Sequence, residues 1–392
     1  MQSISYFKTY SSNTLAGSSN QCYFISDGQV HTARIFYKIF CSGKYEYSFL
    51  FSNTIDSTYS DGNFSRRNFK CDEFEITALS ASAARFIDPA AFMKNSLGDF
   101  PEFNMDYSEA GNDEIGIKLT SPFKSITFNG AKGKTVNSGE LFYTDPTVLE
   151  FNAGEYICIE ISFKGSKIPC HPESLMPTFL ETDGKWKYSK DMPVPSMIGC
   201  NRFVKLKIGY FGDSITQGIG TEINSYSHWN AAVSERLGKD FAFWNLGIGF
   251  ARASDAATDG AWIFKAKQND IVTVCFGVND ILNKRSKAEI KADIEKTVGI
   301  LTNSNIKVLL QTVPPFDYKG DDIKKWENIN RFIKTEIPKK YKIKIFDTVP
   351  FLSAGSEHSY NAKFGGHPDK RGCKIWADKI YGTLKEIINE TV

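Results

Sequence analysis

The periodicity of this chain changes once, near Arg202, and that change constrains the fold more than any single residue. Before it, short alternating runs recur with turn residues between them: "HTARIFYKIF", "KYEYSFLFSN", "DEFEITALSA", "SITFNG", "TVLEF" and "YICIEISFKG". Period-two alternation puts one face of each run in a core, and many such runs at this spacing predict an all-β, jelly-roll-like sandwich over residues 1–202. The stretch 83–111, with Pro89 and Pro101, reads as an inserted loop, and residues 165–203, rich in Pro, Gly and Lys, as a connecting segment. After Arg202, strand-like runs ("VKLKIGYF", "FAFWN", "DIVTVCF", "KVLLQT", "IKIFDT") alternate with helical ones at about 227–238, 286–303, 321–337 and 370–388. That alternation predicts an α/β domain over 203–392, a parallel sheet with helices on both faces in three layers. Ser227 is a candidate N-cap, and Ser286 with Glu289 spells a capping box. A length of 392 residues suits two domains.

Composition narrows the function. The chain is 41% apolar and 14% aromatic, enough for large cores. A net charge of +2, with the signs interspersed, argues against a nucleic-acid or membrane-surface partner. The eight cysteines form no CxxC pair, so they read as reduced, buried thiols and not as a disulfide framework or zinc site. No His/Asp/Cys cluster has ligand spacing, and neither a metal nor a cofactor is expected. The N-terminal stretch lacks the apolar core of a signal peptide, and no run would span a membrane. A cytoplasmic location is the expectation, a secreted protein without its leader the alternative.

Four short segments fall at strand ends of the second half: "GDSIT" from Gly212, "NLGIGFAR" (Asn245–Arg252), "FGVND" (Phe276–Asp280) and "GGHPDKRG" (Gly365–Gly372). Small-residue turns at the carboxyl edge of a parallel sheet are where open α/β folds place their sites. In this order the four segments resemble the SGNH, or GDSL, hydrolase family, whose catalytic domain is flavodoxin-like. The resemblance implies a serine hydrolase that works through an acyl-enzyme. Its nucleophile falls on Ser214 and its base on His367. The oxyanion donors fall on the main-chain N–H of Ser214, a main-chain N–H of the second motif at or near Gly249, and the side-chain amide of Asn279. A serine hydroxyl needs a base to become a nucleophile, and the oxyanion needs preorganised donors, so these residue types fit acyl transfer. His228 reads as a first-turn helix residue and Arg252 as a salt-bridge residue. The segments "FLFSNTIDS", "SITFNG" and "SGELFYTDPTVLEF" resemble the sandwich that precedes some GDSL domains in carbohydrate esterases. A small acyl group on a sugar, acetyl foremost, is therefore the expected substrate. A lipase, lysophospholipase or thioesterase of the same family, and a binding protein with weakened catalysis, are the alternatives. The sequence leaves the oligomeric state open.

Two positions depart from the family pattern. The second motif usually reads N-L-G-x-x-G with its last glycine donating to the oxyanion, but Phe250 stands there. An acid usually lies three residues before the histidine, but that place is Phe364. Three arrangements remain open: a backbone carbonyl orients His367 in a Ser-His dyad, a relocated carboxylate such as Glu357 or Asp369 does so, or catalysis is impaired. The dyad is the expectation adopted here.

Overall fold

The computed structural model describes residues 2–17, 19–56, 69–93, 96, 117–355 and 359–392. The chain divides into two compact units. One is Met1–Phe203 with Glu222–Ser225; the other is Val204–Thr221 with Tyr226–Val392. The boundary falls one residue beyond the expected one. The expected second domain is also interrupted, because Glu222–Ser225 belongs to the first unit, where Asn224 N donates to Leu175 O at 2.8 Å.

The first unit is built on two antiparallel sheets. One has five strands, in the order Ser11–Ser12, Met197–Cys200, Gly43–Ser52 and Leu141–Tyr143, with Thr147–Phe151 also paired to Gly43–Ser52. The other is eight-stranded and centres on Phe74–Phe86, Tyr156–Gly165 and His31–Lys38. The strand Thr147–Phe151 meets Phe74–Phe86 of the other sheet, and Phe128 touches Phe142 with ring centroids 6.0 Å apart. Buried rings such as Phe36, Phe49, Phe51 and Tyr47 fill the interior.

Residues 165–203 are not merely a connector. They contribute four strands, Lys167–Cys170, Thr178–Thr182, Lys185–Tyr188 and Met197–Cys200. The last is buried at every position and paired on both edges. Runs of four or five residues among prolines are too short to display a period, so composition masked them. The reading of "SITFNG" as a strand is corrected as well. Only Ser125 lies in one; Asn129 and Gly130 take positive φ and turn the chain back, so Phe128 bridges Ala131. The strand Phe74–Phe86 runs into the expected loop at 83–111, most of which lies outside the described residues.

The second unit is an α/β domain with five parallel strands. Their order across the sheet is Phe241–Asn245, Leu206–Gly212, Ile271–Cys275, Lys307–Gln311 and Lys344–Phe346. The first strand in sequence is second in space, so the connections run one way and then the other. Right-handed crossovers therefore put helices on both faces. Trp229–Leu237 and Lys370–Asn389 pack together, with Trp229 and Trp376 stacked at 5.0 Å and 7°. The helices Lys287–Asn303 and Asp321–Thr335 pack together in the other layer. The capping box of Ser286 and Glu289 is formed. The helix 229–237 takes His228, not Ser227, as its N-cap. The order reverses between Leu206–Gly212 and Ile271–Cys275, and a crevice is expected at the carboxyl ends of these strands. Among the described residues, no helix is long and apolar enough to cross a membrane.

Candidate active site

The strand Leu206–Gly212 ends in an apolar run and turns at Asp213, whose extended backbone and side chain start a one-turn helix, Ser214–Gln217. Asp213 Oδ1 accepts from Ile215 N at 3.1 Å, the usual work of an N-cap aspartate. Ser214 is the first residue of that helix, so its own N–H has no intrahelical acceptor. Its hydroxyl lies 2.8 Å from Nε2 of His367, a residue 153 positions away in the chain.

The histidine arrives on the turn before the last helix. Asp369 N donates to Phe364 O at 3.1 Å, closing the turn around Gly365 and His367. The ring stands edge-on to Phe316, centroids 5.3 Å apart at 78°. The other side of the turn lies against Gly220, where a Cβ would sit 2.8 Å from His367 O and 2.7 Å from Pro368 O. Gly220 also has φ +104°, so no other residue suits this contact. Burial pushes the imidazole down to about 4, which keeps it neutral and able to accept a proton at neutral pH.

The loop of the second motif is clamped from both sides. From the nucleophile's side, Gly247 lies flush on the one-turn helix; a Cβ there would come within 2.1 Å of Gln217 N. Asn245 accepts from Gly247 N at 3.0 Å and donates to Gln217 O at 3.2 Å. Gln217 Oε1 accepts from Gly249 N at 2.6 Å. From the third motif, Asn279 Nδ2 donates to Ala251 O at 2.9 Å, and Asp280 accepts from Ala253 N at 2.8 Å. Asp280 is itself paired with Arg285 at 2.6 Å. Between the clamps, Phe250 takes φ +62°, a left-handed backbone, and is 42% exposed.

The structure thus brings Ser214 and His367 together and places Asn279 on the helix Val278–Leu282, at the end of the neighbouring strand. It corrects Gly249, whose N–H is committed to Gln217 because the loop lies so close to that side chain. It corrects Asp369 too. This carboxylate caps the last helix, accepting from Arg371 N at 2.9 Å and Gly372 N at 3.0 Å, and pairs with the Arg371 guanidinium. Glu357 lies outside the described residues. Among the described residues none accepts a hydrogen bond from His367 Nδ1, so the expected main-chain oxygen is not found there. Arg252 is buried beside Asp255, 3.5 Å away. Gln217 and Phe316 went unnoticed in the sequence; only the S-x-x-Q spacing at Ser214 could have hinted at the first. Among the described residues, no three His, Cys, Asp or Glu side chains gather as a metal ion would need.

Residues 210–375 match the model of the GDSL-like lipase/acylhydrolase family. No curated protein matches the chain. Similar solved structures include a member of the lipolytic protein G-D-S-L family from Veillonella parvula. It is 19% identical with a TM-score of 0.37, the match covering 46% of this chain and 98% of that one. A psychrotrophic esterase from a Pseudoalteromonas species is 15% identical with a TM-score of 0.36, over 47% and 98% of the two chains. A carbohydrate esterase family 3 protein from Talaromyces cellulolyticus is 18% identical with a TM-score of 0.37, over 48% and 100%.

Proposed function

Because the chain carries a domain of the GDSL-like lipase/acylhydrolase family, we propose that it is a serine esterase acting through Ser214, with a small acyl ester of a sugar, acetyl foremost, as substrate. The observation that carries the reading is the 2.8 Å contact between Ser214 Oγ and His367 Nε2 at the carboxyl edge of the sheet. His367 takes the hydroxyl proton as Ser214 attacks the ester carbonyl. The N–H of Ser214 and the second amide hydrogen of Asn279, the first being held by Ala251 O, receive the oxyanion. His367 then protonates the departing alcohol, and water releases the acyl group by the reverse route. Gly249 is left out of the hole.

With no acid at Nδ1 among the described residues, burial, the T-shaped contact with Phe316 and the turn at Gly220 hold the imidazole. Such a dyad lacks the negative charge that stabilises imidazolium in a triad. The same observation favours a second reading, a sugar-binding protein with weak turnover. The sugar is proposed from the order of the domains, sandwich first, as in the carbohydrate esterases the sequence resembles. Turnover of p-nitrophenyl acetate against p-nitrophenyl palmitate, then of acetylated sugars, tests both levels. Preference for palmitate supports a lipase instead, and no turnover of either ester supports the binding protein.

A further inference from the structure

None of the eight cysteines is in a disulfide, and seven of them are buried. Cys22 is the half-buried exception. It opens the strand Cys22–Ile25, which pairs antiparallel with Lys167–Cys170, and the register sets Cys170 directly opposite Cys22. The two Sγ atoms are 3.4 Å apart. The backbone around them is pinned: Gln21 N donates to Cys170 O, and Ser26 N to Ser166 O, each at 2.9 Å. Opposed residues on paired strands have Cβ atoms roughly 4.5–5.5 Å apart, close to what a disulfide spans. Closing the sulfur gap to a bond of about 2.05 Å therefore calls for side-chain rotation and little backbone movement.

We propose that Cys22 and Cys170 form an oxidation site, a dithiol that hydrogen peroxide converts to a disulfide. Cys22 is the sulfur a small oxidant reaches. Its thiolate attacks one peroxide oxygen, the O–O bond breaks, and the hydroxide released takes up a proton to leave as water. The Cys22 sulfenic acid formed is then attacked by Cys170, which gives up its thiol proton. The S–O bond breaks, the S–S bond forms and a second water departs. The two thiols supply the two electrons that reduce the peroxide. Cys170 is the resolving partner: its contact with Cys22 and its burial hold its thiol well above the usual range, so it does not attack first. The neighbouring Cys71 is fully buried and pushed up to about 12 by that burial, which keeps it out of the first step too. The bridge would tie together residues 148 positions apart, a long loop whose closure constrains the unfolded chain.

This inference concerns the first unit and is independent of the esterase reading. The full chain is treated with a modest excess of hydrogen peroxide, then alkylated and mapped by mass spectrometry. Expected are a fall from eight reactive thiols to six, a loss of about 2 Da, a cross-linked Cys22–Cys170 peptide, and reversal by dithiothreitol. Cys170→Ser should stop at the sulfenic acid on Cys22, which dimedone captures. Eight thiols remaining in the wild type, oxygen added to Cys22 without a bridge, or a bridge that includes Cys71 overturns the proposal.

Discussion

In the proposed reaction Ser214 and His367 divide the work of one proton. Ser214→Ala should abolish esterase turnover while leaving the unfolding midpoint within a degree or two, since an exchange on a turn removes one hydroxyl only. Residual turnover above a few per cent of wild type would reject the nucleophile. The protonation state of His367 is readable in the acid limb of kcat/KM. Burial lowers its pKa to about 4, so the limb should lie near that pH and not near the ordinary histidine value of about 6.5. A limb at 6–7 would mean that a charged partner reaches the ring. Asn279→Ala should lower kcat by about 10²–10³ with a smaller change in KM, as loss of one oxyanion donor does. Asp369→Asn should cost less than about tenfold in kcat, because this carboxylate caps a helix and asparagine caps as well. A loss near the roughly 10⁴-fold cost of a missing triad aspartate would make it the relocated acid.

The elements explain why those residues meet. A one-turn helix cannot hold its own position, and Ser214–Gln217 borrows rigidity from the second-motif loop lying on it. Gly247 is where the two backbones touch, so Gly247→Ala must push them apart. Because that contact would be with backbone and not with a flexible side chain, the variant should lose both stability and kcat. Circular dichroism melts alongside kinetics check this, and an unaltered kcat would show that the loop does not position the site. These contacts also separate what was legible in the sequence from what was not. Ser214, Asn279 and His367 stood out because four short motifs, in that order along the chain, resemble those of a known family. Gln217 and Phe316 did not, because their meaning lies in a neighbour dozens of residues away. Gly249 misled because it is the glycine nearest the family's donor position, and only the packing shows Gln217 closing its N–H. The parallel domain was readable from period alone. The short strands between 165 and 203 were not, since four residues flanked by prolines have no period to read.

At the scale of the whole molecule, two groups at this site couple stability to pH with opposite sign. His367 has a folded pKa depressed to about 4. Its contribution is complete above the unfolded value near 6.5 and is lost as pH falls toward 4. Asp213 is raised to about 7, by burial first and by the nearby charge of Asp280. Its contribution is complete below the unfolded value near 3.9 and is lost as pH rises through 7. Between about pH 4 and 6.5 the two slopes oppose each other. Replacing His367 with asparagine should uncover the aspartate's: the melting temperature of the variant should fall more steeply with rising pH over that interval than that of the wild type. Parallel curves would mean that the histidine does not titrate differently on folding.

The touching of Gly220 and the His367 turn also has a meaning in time. Ser214 and His367 lie 153 residues apart, and the turn that carries His367 precedes the helix Lys370–Asn389. During synthesis the sheet's first four strands can leave the ribosome before His367 is made. Under the proposed mechanism the nascent domain is therefore chemically silent, its serine an ordinary hydroxyl, until the turn that carries His367 has emerged.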